Sequence, residues 1–96
     1  MRPNFLTSSL EDIEVIREYL AQFSAVAAQR FVDGVFTRVE QLDNFPQLGR
    51  VVPELQDEAI RELLYRQYRI IYRLREHGRI DVLAVQTGLR PLRLAH

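Results

Sequence analysis

Ninety-six residues, 47% of them hydrophobic, suffice for one core, so the chain reads as a single folded domain over residues 1–96 rather than as a disordered tract. No apolar run approaches the ~20 residues that span a bilayer, and Met1-Arg2-Pro3-Asn4-Phe5 lacks the apolar centre of a signal peptide, so a soluble, cytoplasmic protein without a membrane partner is expected. Zero cysteines exclude disulfides and thiol nucleophiles, and no second histidine, cysteine or carboxylate cluster gives metal-ligand spacing, so neither a metal nor a cofactor is expected.

All thirteen basic residues are arginine, as a GC-rich genome would give. Formal net charge is zero but uneven: residues 1–58 hold five Arg against ten Asp or Glu, and residues 59–96 hold eight Arg against three. The halves therefore differ from −5 to +5, which suits mutual attraction in the fold or an electrostatic partner surface. A neutral total argues against binding bulk nucleic acid.

In chain order, Pro3 to Thr7 is short and apolar enough for a first strand. Ser8 and Glu11 then read as an S-x-x-E capping box, and Glu11, Asp12 and Glu14 crowd the first turn, where the helix dipole favours them. Ile13, Ile16, Leu20 and Phe23 recur at helical spacing, predicting a helix to about Phe23. Ser24 is the next N-cap, and Ala28, Phe31, Val32, Val35, Phe36, Val39 and Leu42 predict a long amphipathic helix ending near Asp43-Asn44, ahead of Pro46. With almost no linker between them, the two helices should form an antiparallel hairpin. Gly34 lies inside the second helix against its propensity, and a close helix contact would explain it.

Phe45 to Asp57 reads as a loop, punctuated by Pro46, Gly49 and Pro53, whose apolar residues suggest that it lies against the body. From Ala59 the period changes to two. Ile60–Tyr65 is one strand and Tyr68–Arg75 another, with Ile70, Tyr72 and Leu74 on one face and Arg69, Arg73 and Arg75, interrupted by Ile71, on the other. Glu76-His77-Gly78-Arg79 makes a tight hairpin, and Ile80–Thr87 is a third strand, apolar on both faces at Val82–Val85 as a central strand would be. The fold class is thus α+β: an N-terminal strand and an α-helical hairpin packed on a C-terminal antiparallel β-meander, a two-layer sandwich.

That order, with Phe45-Pro46-Gln47-Leu48-Gly49-Arg50, Ile60-Arg61-Glu62-Leu63, Tyr68-Arg69-Ile70-Ile71-Tyr72-Arg73-Leu74 and Val82-Leu83-Ala84-Val85 leading to Gly88-Leu89-Arg90, resembles the ParE/RelE toxin superfamily of type II toxin–antitoxin systems. The match runs from about Pro3 to Leu92. The resemblance implies a toxin held inactive in a hetero-oligomer by a cognate antitoxin, with operator DNA bound only through that antitoxin, and a role such as plasmid stabilisation. ParE-like members poison DNA gyrase and stall replication; RelE-like members cleave messenger RNA on the ribosome.

A metal-free ribonuclease must activate a 2′-hydroxyl, stabilise the charged phosphorane and protonate the leaving oxygen. RelE-like members use lysines and arginines on the sheet face for this, with a tyrosine or histidine near the C-terminus. Arg69 and Arg90 match the arginine positions, but Ile60 and Glu62 stand at the lysine positions, and the chain ends at His96 before a C-terminal tyrosine helix. No catalytic residue is therefore assigned, and a gyrase inhibitor that acts by binding is expected, with a RelE-like ribosome-dependent endoribonuclease as the alternative. A third reading is a relative whose toxicity is lost or whose target differs. His77 in its turn and terminal His96 are read as solvated. Arg69, Arg73 and Arg90, with the tail from Leu89 to His96, are the candidate target-binding residues; Phe31, Val35 and Arg75 are the candidate antitoxin contacts. The plain reading of the arginine strip is a solvated sheet face, and that of Phe31 and Val35 is the core.

Overall fold

A computed structural model of the chain describes residues 3–88. In order these are β1 (Asn4–Phe5), α1 (Thr7–Ala21), α2 (Ala25–Glu40), a 3₁₀ turn at Gln41–Asp43, β2 (Arg50–Val51), β3 (Ile60–Tyr65), β4 (Tyr68–Leu74), a second 3₁₀ turn at Glu76–Gly78, and β5 (Ile80–Thr87). The strands form one five-stranded sheet in the order β1-β5-β4-β3-β2. β3, β4 and β5 are the antiparallel meander expected from the alternation; β2 extends it antiparallel, whereas β1 joins the other edge parallel to β5. The sheet is therefore mixed, with two more strands than the meander.

The helical hairpin covers one face. Ile13 of α1 and Phe31, Val35 and Val39 of α2 pack on Leu63, Ile70, Tyr72, Ile80, Val82 and Val85. Ser24 caps α2 as expected, its side chain accepting from the Ala27 amide at 3.1 Å. Gly34 lets the Tyr65 ring of β3 lie directly on the helix: a Cβ there would stand 1.9 Å from Tyr65 Oη. The close neighbour is thus a strand residue, not a second helix.

The predicted Ser8–Glu11 capping box does not form. Leu6 occupies the N-cap position of α1 and supplies no side-chain cap. Ser8 is already helical, and its hydroxyl donates to the Leu83 carbonyl at 2.7 Å, while Asp12 accepts from the Val85 amide at 2.9 Å. One turn apart on the same helix face, the two side chains hydrogen-bond strand β5 beyond the reach of two-residue β1. Burial holds the Asp12 carboxyl above its usual range, opposed by the Val85 amide and reinforced by nearby Glu11. Strand β5 carries a bulge here: Ile71 pairs with Ala84 but Tyr72 with Val82, leaving Leu83 over. The extra residue turns Val85 to the helical core and Ala84 to the other face, which explains the apolar run on both sides.

That second face has its own small core of Val52, Ile60, Ile71 and Ala84, with Leu83 against it. The hairpin between β4 and β5 is tight because His77 and Gly78 both take left-handed backbone, at φ of 61° and 72°. No helix of the described residues is long and apolar enough to cross a membrane.

Candidate functional site

On the sheet face turned away from the helices, alternation brings Glu62 of β3 and Arg69 of β4 together. Glu62 lies opposite Ile71 and Leu64 opposite Arg69, so Glu62 and Arg69 are diagonal neighbours within reach of long side chains. Arg69 Nε donates to Glu62 Oε1 at 2.7 Å, and Arg69 Nη2 stands 2.5 Å from the same oxygen. Its two terminal nitrogens also grip Glu54, from the loop after β2, at 2.8 and 2.9 Å. Glu62 Oε2 in turn accepts from Arg50 Nε at 2.5 Å. The result is a four-residue chain, Arg50–Glu62–Arg69–Glu54, that fastens the loop to the sheet.

Burial decides what this cluster can do. Glu62 is 1% exposed and Arg69 7%, so each charge is tolerable only because the other is there. The Glu54 carboxylate, and then Glu62, hold the Arg69 guanidinium above its ordinary pKa against the desolvation that opposes it, so it is a permanent cation. Among the described residues no buried side-chain nitrogen or oxygen lacks a partner. Arg69 thus presents a filled fork, not an open one.

A second device anchors the preceding loop. The Tyr72 hydroxyl accepts from the Gly49 amide and donates to the Pro46 carbonyl, both at 2.9 Å. Tyr72 is 0% exposed, and burial pushes its phenol pKa up, so it remains a proton donor at neutral pH. Gly49 must be glycine: a Cβ would stand 2.5 Å from the Glu62 carbonyl and 2.7 Å from Tyr72 Oη. Arg61 adds a bond from Nη1 to the Gly49 carbonyl at 3.0 Å. The Phe-Pro-Gln-Leu-Gly-Arg segment is thereby laid against the body through its backbone, while Phe45 and Leu48 stay exposed.

The candidate residues are dispersed. Arg69 and Arg73 share the outer face of β4, four residues or roughly 13 Å apart. Arg73 is exposed and makes no ion pair among the described residues. Arg75 pairs with Asp81 at 2.9 Å, which also accepts from Asn4. Phe31 and Val35 are 4% and 0% exposed inside the helical core, so neither offers a surface to an antitoxin in this conformation. The apolar side chains that the hairpin does expose are others, among them Val15, Tyr19, Phe23 and Val26. Arg90 and the tail from Leu89 to His96 lie outside the described residues.

Comparison with known proteins decides the family. Residues 4–91 match the family described as ParE toxin of the type II toxin–antitoxin system, parDE. The chain belongs to the ParE toxin family. It is 29% identical over 82 residues to a protein named Toxin RelE2 from Caulobacter vibrioides, a match covering 85% of this chain and 89% of that one. It also superposes on a solved structure titled as the chromosomal ParDE system from P. aeruginosa, with a TM-score of 0.72 at 19% identity, covering 91% of this chain and 95% of the other. That structural likeness shows that the two share the helical hairpin on an α+β sheet. As a ParE-family toxin the chain is one half of a pair, and membership implies an antitoxin partner.

Glu54, Glu62 and Tyr72 are the site residues that sequence reasoning misses. In the sequence Glu62 stands out only as the residue at a lysine position. Its place on the same alternating face as Arg69 is a signal for an ion pair, whereas nothing local announces that Glu54, fifteen residues before Arg69, returns to the same guanidinium. No group of three or more histidine, cysteine or acidic side chains poised for a metal occurs among the described residues.

Proposed function

We propose that this ParE-family toxin arrests growth by binding DNA gyrase, that it does so without catalysing a reaction, and that a cognate antitoxin neutralises it in the cytoplasm. The observation that carries this reading is the Arg50–Glu62–Arg69–Glu54 cluster. Arg69, the arginine that a RelE-like ribonuclease would aim at the scissile phosphate, has its guanidinium occupied by two carboxylates. Glu62, buried where a lysine would be needed, repels a phosphate instead of stabilising its transition state. With no lysine in the chain, and with Glu54 and Glu62 on that face both engaged by arginines, recognition is the more economical use of the sheet.

The test is a supercoiling assay with purified gyrase, relaxed plasmid and ATP, run beside a reconstituted translation reaction. Inhibition of supercoiling with intact messenger supports the proposal. Unimpaired gyrase with messenger cut only in the presence of ribosomes supports the second reading, which the name of the Caulobacter relative favours.

A further inference from the structure

The two carboxylates on Arg69 are unlike. The Glu62 side chain is 0% exposed and belongs to the sheet; that of Glu54 is 40% exposed and belongs to the loop between β2 and β3. Residues 53–58 of this loop are all exposed; Val52 ties its start to the sheet, its amide donating to the Ile60 carbonyl at 3.1 Å, while its own carbonyl closes a turn by accepting from the Leu55 and Gln56 amides at 3.2 and 3.1 Å. Glu54 meets Arg69 as an external carboxylate would, by two parallel bonds across the face of the guanidinium fork.

Beside that fork lies a cavity of about 390 Å³ lined by Arg50, Glu54, Leu64, Arg66, Tyr68 and Arg69, among others. Leu64 is 52% exposed and gives it an apolar wall. Arg66, at the tip of the β3–β4 hairpin, holds a φ of 53° at a position better suited to glycine, an arrangement that retains a cation at the rim against local backbone preference.

We propose that this cavity is a docking site for an acidic peptide segment, and that Glu54 is the resident carboxylate which such a segment displaces from Arg69. The charge of the cavity favours a peptide over a nucleic acid. Among the described residues, three arginines of the wall face Glu54 and buried Glu62, an excess of one positive charge that suits one incoming carboxylate and is short of what a phosphate backbone demands. The apolar wall suits an aliphatic side chain next to that carboxylate. Both readings use the Arg69 cluster, but Glu62 stays on Arg69 when Glu54 leaves, and peptide binding is read without gyrase or ribosomes, so failure of one is distinguishable from failure of the other.

The experiment measures fluorescence anisotropy on the full chain with a labelled nine-residue peptide of repeating Glu-Leu-Ser, beside a Lys-Leu-Ser peptide and a ten-nucleotide oligo-dT. Glu54→Gln removes a tethered competitor whose effective concentration is on the order of millimolar, so it should bind the acidic peptide about tenfold more tightly than the native chain. The gain should shrink with added salt and be absent for both other probes. Arg66→Ser, a substitution at an exposed turn, should weaken acidic-peptide binding several-fold in the otherwise native chain. No gain from Glu54→Gln, an equal gain for oligo-dT, or indifference to Arg66→Ser would each overturn the proposal.

Discussion

Replacing Arg69 by methionine tests whether its buried ion pairs hold the fold rather than await a phosphate. The substitution keeps most of the side-chain volume and removes the cation. Glu62, with a side chain 0% exposed, then retains only Arg50, whose side chain is 63% exposed and strongly screened by water. Leaving a buried charge with a poor partner costs about 3–5 kcal/mol, and the surviving Arg50 contact places this case near 3 kcal/mol. Glu62→Leu is milder, because Arg69 keeps both bonds to Glu54; about 1–2 kcal/mol is expected. The double variant buries neither charge and should return to within about 1 kcal/mol of the native chain, giving a coupling of roughly 3 kcal/mol. Urea unfolding followed by far-ultraviolet circular dichroism reads all three values. If Arg69→Met loses less than about 1 kcal/mol, or the two single effects simply add, the cluster does not stabilise the fold and Arg69 is free to serve another purpose.

Tyr72→Phe should cost about 2 kcal/mol and lower the thermal midpoint by roughly 10 °C, because it orphans the buried Gly49 amide and the Pro46 carbonyl together; an unchanged midpoint in a thermal melt would show that the loop is held otherwise. Ser24→Ala removes the cap of α2 and should cost about 1 kcal/mol in the same urea experiment, with a loss below a few tenths contradicting the capping role. Asp12 gives a pH test. Its pKa is raised in the folded state, so the stabilisation linked to its protonation is complete below the unfolded pKa and is lost as the pH rises through the folded one. Asp12→Asn keeps an acceptor for the Val85 amide without the charge, so at pH 7 it should be at least as stable as the native chain. That advantage should fade toward the ordinary carboxylate range, and a variant weaker at pH 7 than at low pH would reverse the sign.

The helices and the three long strands are legible because each extends for enough residues to display its period. The final strand is legible even through its bulge, since the helical core covers Val82 and Val85 on one face and the smaller core takes Ala84 and Leu83 on the other. The first strand expected within Pro3–Thr7 is present as two-residue β1, but its parallel pairing is a tertiary event that alternation cannot announce, and two-residue β2, inside the expected loop, shows no period. The false capping box has a physical cause: the amide and carbonyl groups of β5 past the end of β1 recruit Ser8 and Asp12, and that demand overrides the local capping preference. Alternation places Arg69, Arg73 and Arg75 correctly on one face. It does not reveal that Arg69 and Arg75 are already paired, because one partner arrives from a distant loop and another from the next strand. Phe31 and Val35 illustrate the opposite error, in which a strong apolar stripe is offered as a binding surface although the sheet already covers it.

The most direct test of the central claim is controlled expression of the chain without an antitoxin, scored for growth, the SOS DNA-damage response and total protein synthesis. Growth arrest with SOS induction and filamentation while translation continues is the predicted result. Prompt loss of translation with cleaved messenger and no SOS signal would contradict it.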